Sequence, residues 1–256
     1  MTNDVLTDPQ PAITAAVLII GDEILSGRTQ DRNTSYIAQY LTALGIDLRE
    51  ARTVPDVEDE IINAINALRT RYTYVFTTGG IGPTHDDITA DAVARAFGVP
   101  IVENQQAIAL LLEYIRPEDM NEARKRMARI PVGARLVANP VSKAPGFWIE
   151  NVIVMAGIPA VMHAMLDNVA PELTTGVPPQ SYTVRAECKE GDVAAGLKEI
   201  ALAYPTVSIG SYPFMENGIT GTNLVLRSRD TLTLAAAHDD VIGLVTRTAS
   251  HKDNRF

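Results

Sequence analysis

A run of glycine, threonine, proline and acidic residues has the side chains best suited to chemistry in this sequence: Thr78-Gly79-Gly80-Ile81-Gly82-Pro83-Thr84-His85-Asp86-Asp87-Ile88-Thr89. A hydrophobic, β-branched run before it predicts a buried strand, and a helical pattern after it predicts a helix from Thr84 to Gly98. Free backbone N–H groups and a helix dipole at such a turn favour an anion. Glycines also let the backbone approach a ligand closely. The stretch therefore predicts a site for a phosphorylated ligand.

Two adjacent carboxylates at this turn, Asp86 and Asp87, would repel a phosphate unless a divalent cation lies between them and the ligand. We therefore expect both to be catalytic, metal-binding residues. Neighbouring side chains on a helix diverge by about 100°, so we expect only one of the two aspartates to bind the metal directly. We expect this one to be Asp86, because Asp87 occupies the capping-box position relative to Thr84. The alternative is an ordinary strand–helix turn whose aspartates only complement the helix dipole.

A second acidic loop, Gly21-Asp22-Glu23-Ile24-Leu25-Ser26-Gly27-Arg28, follows the first predicted strand, Thr14 to Ile20. Ligands of open α/β sheets bind outside the carboxyl ends of the strands, and both loops follow such ends. We therefore expect Asp22 to act in catalysis, where Asp22 and Glu23 orient a water molecule or a ribose hydroxyl. A solvated polar loop is the alternative.

A third loop, Asn139 to Phe147, contains Ser142 and Lys143, which can donate hydrogen bonds to a phosphate or carboxylate. A Pro/Gly turn between strands is equally compatible with this loop. The basic segment Arg124 to Arg129 is interpreted as a solvated helix face, as most charge runs are, with a helix that flanks the crevice as the alternative.

The composition excludes several classes of protein. The chain has 256 residues and a formal net charge of −9, which argues against nucleic-acid binding through a broad basic face. Cys188 is the only cysteine, which fits a reducing cytoplasm and leaves no disulfide framework. No apolar run approaches the roughly 20 residues of a membrane span, and residues 1–11 lack a signal pattern and are expected to form a loose arm.

Strand and helix patterns alternate from Thr14 to Thr174, which predicts an α/β fold with a mostly parallel sheet covered on both faces. Helix caps are expected at Asn33 or Thr34 and at Asp56, and a basic helix is expected from Glu118 to Ile130. The Pro/Gly-rich segment Thr175 to Gln180 predicts a linker. A β-α-β-β-α pattern follows, so we expect domains at residues 1–175 and 176–256, the second a small α+β domain.

These motifs together closely resemble the N-terminal domain of competence/damage-inducible protein A. The order is a strand, Gly-Asp-Glu-Ile-Leu-x-Gly, Asn33 opening a helix, Thr-Gly-Gly-Ile-Gly-Pro-Thr-x-Asp-Asp-x-Thr, and Ala-Pro-Gly-Phe. That domain belongs to the molybdopterin-binding superfamily, which includes molybdenum cofactor biosynthesis proteins. The second domain, with Ser208 to Pro213 and Leu226-Arg227-Ser228, resembles the small domain that follows in the same family. The chain is too short for the amidase domain of full-length members.

The resemblance implies a three-layer α/β/α fold and a crevice for a nucleotide or pterin phosphate, with molybdopterin as a candidate ligand. It also implies a divalent metal (Mg, Mn or Co) and hydrolysis of dinucleotide pyrophosphates such as ADP-ribose or FAD. A homo-oligomer, dimer or trimer, is expected, and no nucleic-acid or membrane partner. The expected ligand-binding residues are Gly21, Glu23, Asn33, Thr78, Gly79, Gly80, Gly82, Pro83, Thr84, Ser142, Lys143, Ala144, Pro145 and Gly146.

The sequence departs from the family pattern in two places. The family's Pro-Gly-Val-Pro-x-Glu-Met is here Ala156 to Met162, with Val161 in place of the carboxylate. The family's Gly-Thr before Ala-Pro-Gly-Phe is here Ser142-Lys143, which adds a positive charge. Two alternatives to a hydrolase therefore stay open, a non-catalytic molybdopterin-binding module or regulator and a molybdopterin adenylyltransferase.

Overall fold

The computed structural model describes residues 12–253, with side chains to residue 249. The N-terminal arm expected at residues 1–11 lies outside the described residues. The chain forms two compact units that divide between Gly176 and Val177, within the segment that the sequence predicts as a linker. Across residues 12–253, no helix is both long enough and apolar enough to cross a membrane.

The N-terminal unit alternates strands and helices. Its elements are β1 (Thr14–Ile20), α1 (Asp22–Leu25), α2 (Asn33–Ala43), β2 (Asp47–Val54), α3 (Glu58–Arg69), β3 (Tyr74–Thr78), α4 (Thr89–Phe97), β4 (Ile101–Glu103), α5 (Gln105–Leu112), α6 (Glu122–Arg126), β5 (Arg129–Pro131), β6 (Arg135–Val137), β7 (Gly146–Ile149), β8 (Val152–Met155) and α7 (Pro159–Val169), with 3₁₀ turns at Pro117–Asp119 and Ala170–Glu172.

Within residues 12–176, six strands form one sheet in the order β2-β1-β3-β8-β7-β6. The first four strands are parallel, and β7 and β6 extend the sheet in the antiparallel sense. Alternate residues of β1 face opposite sides, so Leu18 packs with α3 and α4 while Val17 packs with α2 and α7. The predicted three-layer α/β/α fold with a mostly parallel sheet is confirmed.

The predicted helix from Thr84 is wrong in its first turn. Helix α4 begins at Thr89, and residues between Gly79 and Ile88 form a longer turn. The predicted basic helix is also shorter, because α6 ends at Arg126 and the chain then forms strand β5, which pairs with β4. Backbone pairing with a distant strand thus overrides the local helical pattern.

Two predicted helix caps are also wrong. At α2, the Asp31 carboxylate accepts from the backbone N–H groups of Asn33 and Thr34, so Asp31 performs the capping. At α3 the N-cap residue is Val57, and the Asp56 carboxylate instead accepts from the backbone N–H of Asp22. Both aspartates therefore fix the chain near the predicted site.

The C-terminal unit has the predicted β-α-β-β-α order. Its elements are β9 (Gln180–Ala186), α8 (Glu190–Ala203), β10 (Ser208–Glu216), β11 (Ile219–Ser228) and α9 (Thr231–Asp253). Within residues 177–253, three antiparallel strands form a sheet in the order β10-β11-β9, with a turn at Asn217-Gly218. Its separate core includes Val193, Leu224, Leu234 and the buried thiol of Cys188.

Candidate functional site

The two predicted acidic loops lie at the same edge of the sheet. Strands β1 and β3 are neighbours, with Ile19 opposite Thr78, so the turns after Ile20 and after Thr78 are adjacent. Hydrogen bonds extend the pairing past the strand ends: the Gly21 N–H donates to Val54 O (3.2 Å) and the Gly79 N–H donates to Met155 O (3.2 Å). The carboxyl ends of β2, β1, β3 and β8 thus form one edge, where ligands of such folds bind.

Two constraints require glycine at the first two positions of the turn, Gly79 and Gly80. Gly79 and Gly80 have φ angles of 108° and 66°, in the region that disfavours residues with a Cβ. A Cβ on Gly79 would lie 2.1 Å from the Ile20 carbonyl oxygen, and one on Gly80 would lie 2.2 Å from the Thr89 Oγ1. The turn therefore depends on both backbone freedom and missing side chains.

Three consecutive backbone donors in this turn are available to a ligand. Within the described part of the chain, the N–H groups of Gly80, Ile81 and Gly82 have no hydrogen-bond partner. Pro83 has no N–H, and the Thr84 N–H donates to Asp87 Oδ2 (2.8 Å). Successive free N–H groups in a turn form a concave anion-binding surface.

The two aspartates of the turn have different surroundings. Asp87 Oδ2 accepts from both the N–H and the hydroxyl of Thr84 (2.8 and 2.5 Å), so it closes the turn. The Asp86 side chain is 59% exposed, and its carboxylate lies 3.8 Å from His85 Nδ1. The Thr84 hydroxyl, the Asp86 backbone N–H and His85 lower the pKa of the Asp86 carboxyl from its usual value. Asp86 is thus the accessible carboxylate of the pair.

Asp56 lies at the site, although the sequence pattern predicts only a helix-capping role for it. Its Oδ2 accepts from the Asp22 N–H (2.9 Å). Burial, followed by the nearby charges of Asp22, Glu23 and Asp86, raises the pKa of Asp56, against the lowering effect of that hydrogen bond. Asp56 and the other three carboxylates therefore form an acidic edge, whose mutual repulsion a cation would relieve.

A small cleft of about 60 Å³ lies beside the glycine turn and is lined by residues that include Glu23, Asn33, Thr78, Gly79 and Gly157. Asn33 is only 6% exposed, and its Nδ2 donates to Gly157 O (2.8 Å). Its Oδ1 is buried without a partner among the described residues. An unpaired buried acceptor is unfavourable, so this amide is suited to receive a hydrogen bond from a ligand.

The third predicted loop is already engaged in protein contacts. Ser142 Oγ accepts from Asn139 Nδ2 (2.7 Å), and the Lys143 ammonium pairs with Glu113 (2.8 Å). Lys143 also has a positive φ of 63°. Its predicted contact with a phosphate would therefore require it to leave Glu113.

The remaining residues of that loop lie against the core, in strand β7 or beside a second cavity. Ala144 contacts the core, Gly146 starts β7, and Pro145 lines a second cavity of about 20 Å³. This cavity is also lined by Gly80, Gly82, Asp87, Arg126 and Arg129. The basic segment is therefore not only a solvated face, because Arg126 at the end of α6 and Arg129 at the start of β5 both line this cavity.

The donor set of the site fits a cation only in part. In the stretch from residue 12 to residue 249, no group of three or more His, Cys, Asp or Glu side chains is arranged to hold a metal ion. Asp86 offers one accessible carboxylate, whereas Asp87 is occupied by Thr84. This arrangement suits an ion such as Mg²⁺, which usually keeps waters and phosphate oxygens and takes one or two protein carboxylates.

Comparison with known proteins agrees with this fold and these motifs. Residues 16–175 match the family described as probable molybdopterin binding domain, and residues 178–253 match the family described as FAD synthase, middle domain. The chain belongs to the probable molybdopterin binding domain family. A protein from Pyrobaculum calidifontis is 36% identical over 211 residues, which cover 78% of this chain and 80% of that protein.

Two further relatives bear the name suggested by the sequence motifs. A CinA-like protein from Citrifermentans bemidjiense is 40% identical over 166 residues, covering 62% of this chain and 40% of that longer protein. The crystal structure of the protein CinA, of unknown function, from Thermoplasma acidophilum matches with a TM-score of 0.60 and 33% identity. The match covers 63% of this chain and 98% of that one. The predicted resemblance to the CinA-like branch of the family is confirmed.

Proposed function

We propose that the N-terminal unit binds a nucleotide or pterin phosphate at the glycine turn and hydrolyses a dinucleotide pyrophosphate such as ADP-ribose or FAD with a divalent metal. The main support is the juxtaposition of three free backbone donors, at Gly80, Ile81 and Gly82, with the accessible carboxylate of Asp86. The donors suit a phosphate, and the carboxylate suits the cation that accompanies it. The match of residues 178–253 to the FAD synthase middle domain family favours a flavin or adenine nucleotide.

The residues have separate tasks in this reaction. The N–H groups of Gly80 to Gly82 stabilise the negative charge that grows on the phosphoryl oxygens as water attacks. The attacking water adds to one phosphorus, and the bridging oxygen leaves with the other phosphate. Asp22 and Glu23 orient that water or a ribose hydroxyl. Asp86 holds the metal, here Mg²⁺, Mn²⁺ or Co²⁺, which when bound polarises a phosphoryl oxygen and acidifies water.

The proposal is tested by incubating the full-length chain with ADP-ribose, FAD and NAD, with each metal in turn, and separating the products by chromatography. We expect cleavage of at least one substrate, dependent on the metal. Asp86→Asn should abolish this cleavage with little change in thermal stability, because the side chain is exposed. Asp239→Asn, an exposed acid on α9, should behave as the wild type. Metal-independent cleavage, or full activity of Asp86→Asn, would contradict the assignment.

The second candidate function is a module or regulator that binds molybdopterin without hydrolysis. It is favoured by Val161, which replaces the family's carboxylate and is only 6% exposed within the core against α2 and β8. A wild-type protein that binds a pterin or nucleotide phosphate but cleaves nothing with any metal would establish it. A third, adenylyl transfer to molybdopterin, would require a parallel incubation with ATP and molybdopterin, where it would appear as an adenylylated pterin formed with release of pyrophosphate.

A further inference from the structure

The basic segment at the end of α6 contains an arginine that lies beside the glycine turn and has no ion-pair partner among the described residues. Arg129 forms a two-point salt bridge with Asp91, at 3.0 and 2.5 Å. Lys125 pairs with Glu122 (2.7 Å), and Arg124 donates to the Asp119 carbonyl. Arg126 has no carboxylate within salt-bridge distance among the described residues. Arg124 also lacks a carboxylate partner, but among the described residues only Arg126 both lacks an ion pair and lines the cavity beside the glycine turn.

The guanidinium of Arg126 is held in place by one hydrogen bond, while another of its nitrogens has no hydrogen-bond partner among the described residues. Its Nη2 donates to the backbone carbonyl of Asp87 (3.1 Å), which fixes it against the end of the glycine turn. Its Nε is buried and has no partner in the part of the chain that is described. Buried donors of charged groups are strongly disfavoured when unpaired, so an oxygen acceptor is expected to fill this position in the working protein.

The cavity beside Arg126 matches the size of that acceptor. It has a volume of about 20 Å³ and is lined by Gly80 and Gly82, whose N–H groups are free, as well as by Arg126. Such a volume admits about one water-sized atom, so it suits a single oxygen and excludes a ring. A planar guanidinium beside backbone N–H groups is a common setting for a phosphoryl oxygen.

We infer that Arg126 binds a phosphoryl oxygen of the ligand at the glycine turn, in the cavity formed with Gly80 and Gly82. In this arrangement Asp86 binds the cation, and Arg126 neutralises the negative charge of a phosphate oxygen. The inference shares its ligand class with the proposed function but does not require hydrolysis. Arg126 is a ligand-binding residue in this account, and its contact to Asp87 is the means of positioning it.

Calorimetric titration of the full-length chain with inorganic phosphate, inorganic pyrophosphate and ADP-ribose, first in EDTA and then with Mg²⁺, tests the inference. The three ligands distinguish a free phosphate from a diphosphate and from a whole nucleotide. We expect Arg126→Gln to weaken pyrophosphate or ADP-ribose binding by about 10- to 100-fold, as for the loss of a charge-assisted hydrogen bond. Lys125→Gln, one residue away and already paired with Glu122, should bind as the wild type.

Two further measurements distinguish ligand binding by Arg126 from a purely structural role. Arg126→Lys keeps the charge but loses the planar fork, so its affinity should lie between those of the wild type and Arg126→Gln. Added NaCl should weaken binding to the wild type more steeply than binding to Arg126→Gln, because salt screens the charge that the variant lacks. If Arg126→Gln does not fold, Arg126→Lys with its salt dependence decides.

Two outcomes would overturn the inference. One is unchanged affinity of Arg126→Gln for every ligand that the wild type binds. The other is a wild type that binds none of the three ligands in either condition. Binding that depends on Arg126 in a protein without hydrolytic activity would leave the inference standing while the proposed function fails.

Discussion

At the scale of single residues, the site depends on how closely three turns approach one another. Gly79 lies against the Ile20 carbonyl, and a Cβ on Gly157 would lie 3.3 Å from the Gly79 Cα. Three turns that follow β1, β3 and β8 therefore meet where Gly79 has no side chain. Replacement at this position would separate the acidic loop from the free N–H groups.

Gly79→Ala is expected to destabilise the protein by about 2–5 kcal/mol, through strain at positive φ and overlap with the Ile20 carbonyl. Gly133→Ala is the matched control, because Gly133 has a positive φ of 90°, nearer to the 108° of Gly79, and open space where its Cβ would lie. It should lose only about 1–2 kcal/mol, the strain alone. Urea unfolding measures both. Equal losses would show that close packing at Gly79 contributes nothing.

At the scale of elements, the edge formed by the ends of β1, β2 and β3 concentrates negative charge. Asp56 lies in the connection from β2 to α3, and Asp22 and Glu23 begin α1. The raised pKa of Asp56 means that the folded protein holds this proton more tightly than the unfolded chain. Between the unfolded and folded pKa values, the folded state therefore binds more protons, and stability falls as pH rises through this window.

Asp56→Asn is expected to remove this decrease in folding stability with rising pH. The amide oxygen can still accept from the Asp22 N–H, while the repulsion disappears. Above the folded pKa the variant should be at least as stable as the wild type, and the two stability curves should converge below about pH 4, near the ordinary carboxyl pKa. Urea unfolding at a series of pH values from 3 to 7 measures this, with the exposed Asp59→Asn as control. A variant less stable than the wild type at pH 7 would contradict the sign.

The sequence predicts those parts of the site that depend on local patterns. Gly79 to Gly82 were found because a strand followed by glycines is a local signal, and Asp22 was found because it follows β1 directly. The position of Asp56 beside Asp22 was missed, and a position of Arg126 near the crevice was only the alternative to a solvated face, since each depends on a contact with a residue 34 or 39 positions away. The helix start at Thr84 was misplaced because Thr84 and Asp87 form nearly the same hydrogen bonds in an isolated turn as in a capping box.

At the scale of the whole molecule, the described residues form separate hydrophobic cores in the two units, on both faces of the N-terminal sheet and within the C-terminal unit. The division falls between Gly176 and Val177, and Val177 is 65% exposed. Exposed backbone between compact units is a preferred site of proteolysis. The two family matches also end and begin on either side of this segment, at residues 175 and 178.

Limited digestion with a protease of broad specificity should therefore cut first at residues 174–180. We expect one fragment of about 175 residues and one of about 80, the sizes implied by a cut in an exposed linker. The larger fragment should retain binding of the same phosphate ligand as the intact chain, since the candidate site lies wholly within it. Initial cuts inside either unit, or loss of folded structure in the larger fragment by circular dichroism, would argue against independent units.

The buried Cys188 makes the stability of the C-terminal unit separately observable. Because it is the only thiol in the chain, the rate at which a thiol reagent labels the native protein reports how often this one unit opens. Unfolding by denaturant reports on both units together, whereas labelling at Cys188 reports directly on the opening of the C-terminal unit alone. A ligand that slows this labelling would thereby reveal an energetic connection between the two units.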